Sequence, residues 1–210
     1  MKNKTIKALT VDIKKDGWDK SRGFVMRDVP MPVLDEKKNP QDATSVILKV
    51  RYAGVCGSDR GIWYRNAWKD GIHDSLERES KTMRITGHEF VGEIVQAGSM
   101  VKTLYYDTDP YNKARIEVGG LVSGDSHVTC GRCYQCRIGE QNVCLDESIL
   151  GILIDGIFAE YVKIPAKNLW AVDETRLRPE IASIYDPFGN AVHATTKVDM
   201  RGQRVAIFGC

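Results

Sequence analysis

Residues 129–144 read TCGRCYQCRIGEQNVC and set four cysteines, Cys130, Cys133, Cys136 and Cys144, in a C-x2-C-x2-C-x7-C run. Four soft ligands on one short loop are what a closed, tetrahedral structural zinc site requires. The segment is polar and glycine-bearing, with too little apolar material to fold unaided, so metal affinity there becomes folding free energy. Iron–sulfur ligation begins with the same spacing, but its last gap is shorter and a proline follows; here Leu145 follows Cys144. A disulfide framework belongs to secreted chains. Residues 1–18, MKNKTIKALTVDIKKDGW, hold no apolar run long enough for a signal peptide or a membrane span. Zinc is the expected occupant.

Working outward, the 210 residues suffice for one large domain or one and a half ordinary ones, and 42% hydrophobic content can build a core. A net charge of +2 without a basic stripe predicts neither a nucleic-acid nor a membrane partner. Six cysteines, four of them clustered, suit a reducing cytoplasm with a metal. The first half reads as β-rich. Residues 6–13, 45–52, 90–95 and 159–164 are strand candidates, with Pro30 and Pro32 at loop or edge positions and a turn around Gly98. Helical signal is scarce before residues 179–198. Residues 62–84 read as a polar, aromatic-spotted surface excursion with at most a short helix, and residues 105–115 as another polar insertion. The run RVAIFGC at 204–210 resembles the opening strand of a dinucleotide-binding unit, but no G-x-G-x-x-G turn, crossover helix or distal acidic residue accompanies it. The chain is therefore expected to lack a cofactor-binding half.

A second constellation lies upstream. Cys56 stands in GVCGSD, and His88 and Glu89 stand in TGHEF. A thiolate, an imidazole and a carboxylate from separate loops make a plausible catalytic zinc set, which uses three protein ligands and keeps one position open, and the thiolate favours zinc over magnesium or calcium. Gly54, Gly57 and Gly87 flank these groups and would permit close backbone approach. On the residues alone, a buried cysteine acting as a small hydrophobe and a surface His–Glu hydrogen bond remain open.

In order along the chain, GVCGSD, GHEFVGEIVQAGSMV, the four-cysteine lobe, FAEYVKIPA, DPFGNAVH and RVAIFG resemble the zinc-dependent medium-chain alcohol dehydrogenases, and among them the L-threonine 3-dehydrogenase group. The resemblance covers nearly the whole chain but only the catalytic half of such an enzyme. It implies a β-rich α+β fold: a GroES-like, partly open β-barrel with a zinc lobe at about 125–148, ending at the first strand of a truncated Rossmann domain. It divides the chain into a catalytic domain, 1–180, and a connecting helix plus first strand, 181–210. It implies two zinc ions per chain: a structural one on the four cysteines, and a catalytic one on Cys56, His88 and Glu89 with Asp186 as a further ligand. It makes Ser58 the proton-relaying hydroxyl and His127 a histidine beside the substrate, and it sets Glu160 near the pocket. By the same resemblance the complete enzyme is a cytoplasmic homo-oligomer that oxidises a small alcohol with NAD or NADP. Gly61 stands where threonine dehydrogenases usually carry a histidine, and VGGLVSGD at 118–125 replaces the usual strand start. Sugar or polyol dehydrogenation is the alternative activity. A non-catalytic, zinc-stabilised β module is the alternative of another class.

Overall fold

The structure, a computed structural model, describes residues 4–104 and 115–209. In chain order the strands and helices are β1 (Thr5–Asp12), β2 (Val25–Pro30), β3 (Ser45–Gly54), α1 (Gly57–Trp63), α2 (Lys69–Arg78), β4 (Met83–Ile85), β5 (Glu89–Ala97), α3 (Val101–Leu104), β6 (Leu121–Gly124), β7 (His127–Val128), α4 (Tyr134–Arg137), β8 (Ser148–Ile149), β9 (Tyr161–Pro165), β10 (Leu169–Ala171), α5 (Pro179–Ala182) and α6 (Tyr185–Thr196).

Three antiparallel sheets organise them: β10-β6-β5-β3-β9, β2-β1-β4, and the pair β7-β8. The long β3–β5 ladder is the spine, with register irregularities at Ile47/Leu48 and Val50/Tyr52 that bend it as bulges do. The two larger sheets are stitched together where Leu9 N–H donates to Phe158 O (2.7 Å) and Glu160 N–H to Lys7 O (3.1 Å). Alternation sets the core face: Val162 and Ile164 point inward from β9 and join Val46, Leu48, Phe90, Ile94 and Val122 in one apolar cluster. Each such side chain contributes about 1.5–3 kcal/mol of burial. This is the expected β-rich α+β arrangement, and all four strand expectations correspond to observed strands. Pro30 closes edge strand β2, where its missing N–H costs no ladder bond.

Residues 62–84 depart from their expectation. They hold the end of α1, all of α2 and the first two residues of β4, and one face of the segment is buried while the other stays at the surface. Ile62, Ile72 and Leu76 are fully buried with Val11, Trp18 and Ile152 in a second core. Ile72 and Leu76 are four apart and so share a helix face; with polar residues on the remaining faces, the apolar stripe is too thin to dominate the sequence. Arg84, wholly buried on β4, anchors this layer. Its guanidinium donates to Glu79 (2.7 Å), Asp155 (3.1 Å) and Ser75 (3.0 Å).

The helical expectation for 179–198 divides into α5 and α6, and α6 buries no residue. Residues 203–209 pair with no strand among the described residues, and Ile207 and Phe208 are 83% and 95% exposed. Of the strand expected at 204–210, residues 204–209 form none, because no described strand lies alongside to complete its ladder, and Cys210 lies outside the described residues. Of the polar insertion expected at 105–115, residues 105–114 lie outside the described residues. Among the described residues no helix is long and apolar enough to cross a membrane.

Candidate metal centres

The four-cysteine loop closes on itself. The sulfurs of Cys130, Cys133, Cys136 and Cys144 lie within 4.8 Å of one another, and none is in a disulfide. Cys133 Sγ and Cys144 Sγ are 3.9 Å apart, close to the ~3.8 Å edge of a tetrahedron with zinc–sulfur bonds of about 2.3 Å. Gly131 and Gly139 adopt left-handed φ of 70° and 88°, turns that a Cβ would strain. Backbone N–H groups point at the sulfurs: Cys130 N–H at Cys144 Sγ (3.3 Å), Cys133 N–H at Cys130 Sγ (3.4 Å) and Asp146 N–H at Cys144 Sγ (3.4 Å). Such bonds favour thiolates. Backbone donation from Leu145 and Cys136 lowers the Cys133 pKa to about 6. Burial and the sulfurs of Cys133 and Cys144 push Cys136 up to about 12. Four cysteine sulfurs crowded this closely hold their protons against one another until a cation displaces them, and the donor set fits zinc.

The second set assembles from two elements. Cys56 immediately precedes α1, His88 immediately precedes β5, and Glu89 opens that strand. Their ligand atoms lie within 4.8 Å of one another, and His88 and Glu89 are each 5% exposed. Asp59, on α1, ties the elements together. It accepts from Cys56 N–H (2.9 Å) with one oxygen, and its other oxygen lies 3.5 Å from His88 Nδ1. Both that oxygen and Nδ1 are buried without a hydrogen bond, so a small ring movement would pair them and leave Nε2 for an ion. Ser58 Oγ is 3.3 Å from Nε2. Burial opposes charge on His88, but the nearby Asp59 carboxylate, then Cys56, raise its pKa to about 9. Burial raises the Glu89 pKa, and Asp186 and Asp59 add to that against the lowering influence of Cys56 and His88. Three carboxylates, Asp59, Glu89 and Asp186, thus act on one another and on a single imidazole here, and thiolate, imidazole and carboxylate together fit zinc.

One glycine makes room for this set and another for a neighbouring ring. A Cβ at Gly54 would lie 2.2 Å from Glu89 Oε2, and one at Gly87, where φ is +85°, would strike the Phe158 ring at 2.3 Å. Gly57 faces open space, so close approach does not explain it.

A third group completes the cleft, which measures about 160 Å³ and is lined by both walls. Asp186, in the first turn of α6, accepts from Ser126 Oγ (2.7 Å). It clusters with Asp125 and His127 rather than within the Cys56, His88 and Glu89 set. Trp68, Pro187 and Asn190 complete the lining with Ile149 and Ile152. Glu160 is not among them; its carboxylate accepts from Lys7 N–H (2.7 Å) at an exposed position. The same is true of Gly61, whose missing side chain has a packing reason: a Cβ there would meet Ala67 Cβ at 2.7 Å. A larger groove of about 760 Å³ lies along Ile6, Met31, Met83 and Tyr161 and contains none of the candidate ligands, so volume alone does not mark the chemistry. Asp59, Trp68, Ser126 and Asn190 went unnoticed in the sequence as site residues. Asp59 is the last residue of the GVCGSD stretch already singled out for Cys56 and Ser58. Trp68 gives no sequence signal, since a left-handed backbone (φ 67°) starts α2 there.

The family of alcohol dehydrogenase GroES-like domains matches residues 42–174. An L-threonine 3-dehydrogenase of Caldanaerobacter subterraneus subsp. tengcongensis is 39% identical over 97% of this chain and 49% of its own. A short chain alcohol dehydrogenase of Escherichia coli CFT073, solved with NADH, superposes with TM-score 0.61 at 30% identity, over 92% of this chain and 45% of its own. Galactitol-1-phosphate dehydrogenase of Escherichia coli gives TM-score 0.63 at 27% identity, over 90% and 44%. The chain spans about half the length of the curated relatives it matches.

Proposed function

Because the chain belongs to the alcohol dehydrogenase GroES-like domain family, we propose that it is the zinc-holding catalytic portion of a dehydrogenase that oxidises a small secondary alcohol of the L-threonine type with NAD or NADP. The observation that carries this reading is the convergence of Cys56, His88 and Glu89 within 4.8 Å at the floor of a cleft. Residues 1–180 form the catalytic domain in this proposal, and 181–210 begin the cofactor-binding one.

Cys56, His88 and Glu89 would hold the ion, with Asp186 as the further carboxylate; its Oδ2 is bonded to Ser126, which leaves Oδ1 to approach. When bound, zinc supplies Lewis-acid polarisation of the substrate hydroxyl and lowers its pKa. Ser58, on the first turn of α1 and lining the cleft, takes the released proton toward solvent or cofactor. Asp59 keeps His88 oriented. Ile149, Ile152 and Trp68 exclude water from one wall. His127 offers a polar contact to a second substituent of the substrate. A site built for polar contacts rejects analogues that lack them, so a polyfunctional alcohol is favoured over ethanol.

The likeness to galactitol-1-phosphate dehydrogenase supports a second reading, oxidation of a sugar or polyol. The test joins this chain to a dinucleotide-binding domain and compares threonine, sorbitol, glucose and ethanol side by side. Threonine is expected to give the highest kcat/KM. A sugar in first place supports the second reading, and ethanol in first place overturns both.

A further inference from the structure

His127 lines the cleft, yet its ring is held from behind. Asp125 Oδ1 accepts twice from the same residue, from His127 N–H (2.8 Å) and from Nδ1 (3.1 Å). The first of these bonds locks the Asp125 side chain into its own local turn, so the second meets the ring with a carboxylate already fixed. Ser126 Oγ is the other neighbour of Nδ1, at 3.4 Å. A hydroxyl has one proton, and the Ser126 proton is committed to Asp186 Oδ2 at 2.7 Å. Ser126 therefore turns only lone pairs toward the ring. Both neighbours of Nδ1 are acceptors, so Nδ1 carries a hydrogen whether the ring is neutral or charged. Nε2 is left without a protein partner among the described residues.

We infer that Asp125, with Ser126, is a positioning residue that fixes His127 as the Nδ1–H tautomer, so that Nε2 is the atom that meets the ligand in the cleft. The inference rests on reading this cleft as the substrate site. Asp125 itself does not line the cleft, and its side chain is 54% exposed; it acts through the imidazole. Ser126 couples the same ring to α6 through Asp186, so one hydroxyl joins the two walls of the cleft.

The experiment is a long-range proton–nitrogen spectrum of the zinc-loaded chain, labelled with 15N at histidine, at a pH high enough for neutral rings. His127 is expected to show the Nδ1–H pattern. Asp125→Ala should move it toward the Nε2–H tautomer that free imidazole prefers. Asp125→Asn, which keeps an acceptor oxygen without the charge, should restore the native pattern. A structural role alone would not follow this order. An Nε2–H pattern in the wild-type chain overturns the inference, and so does an Asp125→Ala spectrum identical to wild type. Should Asp125→Ala fail to fold, Asp125→Asn and Ser126→Ala decide between the same outcomes: native pattern for the first and partial loss of it for the second support the inference, and loss for the first overturns it. In the enzyme joined to a cofactor domain, Asp125→Ala should lower kcat/KM about tenfold or more, as loss of a hydrogen bond to a charged group does, with zinc content unchanged. A confirmed tautomer with no turnover of any alcohol would leave the positioning role standing and remove the dehydrogenase reading.

Discussion

Gly54 shows how little separates an ordinary strand end from a ligand site. Glu89 Oε2 occupies the volume that any side chain at position 54 would need. Gly54→Ala should therefore displace the Glu89 carboxylate while leaving β3 paired. Weakened zinc affinity at the cleft with little change in thermal midpoint is the expected result, read by chelator competition and calorimetry. In the other lobe, Cys133→Ser should lower stability strongly, because a closed site contributes folding energy. Protease cleavage within 125–148 should rise, and an uncleaved lobe would count against a structural metal there. The cysteine spacing made this lobe legible from sequence alone, since ligands on one loop are near in space by construction. The cleft was legible only in pieces. Cys56 and His88 come together because β3 and β5 pair, with Gly54 opposite Glu89 in the register, a long-range fact that local spacing does not encode.

At the scale of elements, α2 and β4 were the part least visible in the sequence. Three apolar residues, Ile62, Ile72 and Leu76, commit the segment to the core, while its many charges suggest a surface loop. Those charges are themselves anchors: Glu79, Lys81, Arg84 and Asp155 form one network. Leu76→Ala should cost about 2–5 kcal/mol by denaturant titration; a loss under about 0.5 kcal/mol would return the segment to the surface. The network also has a pH signature. Burial alone would raise the Glu79 pKa, but hydrogen bonds and charge from Arg84 and Lys81 hold it below its ordinary value. A depressed carboxylate contributes stability that is complete above the unfolded pKa of about 4.3 and is lost as pH falls through the lower folded value. The gap in thermal midpoint between wild type and Glu79→Gln should therefore be widest near neutrality and close on acidification below about pH 4. A gap that stays constant would contradict the assignment. The strands, by contrast, were easy to read: 45–52 and 90–95 are apolar and β-branched, and pairing needed only to extend them by a few residues to Gly54 and Ala97.

At the scale of the molecule, the four-cysteine lobe and the cleft of Cys56, His88 and Glu89 are separate clusters, and the last described residues carry exposed apolar side chains. Val205, Ile207 and Phe208 are exposed and lack ladder bonds, which is why a sequence that reads as a buried strand is not one among the described residues. Their amides should exchange at nearly unprotected rates, while those of Leu48 and Phe90, in the β3–β5 ladder, should be slowest. In this reading the chain builds two separate zinc sites, one closed and one in a cleft. Metal analysis of the purified chain and two variants tests it most directly. The account predicts two zinc ions per wild-type chain, and one each in Cys56→Ser and Cys133→Ser. Absence of zinc from the wild type, or a single ion that both variants lose, would contradict it.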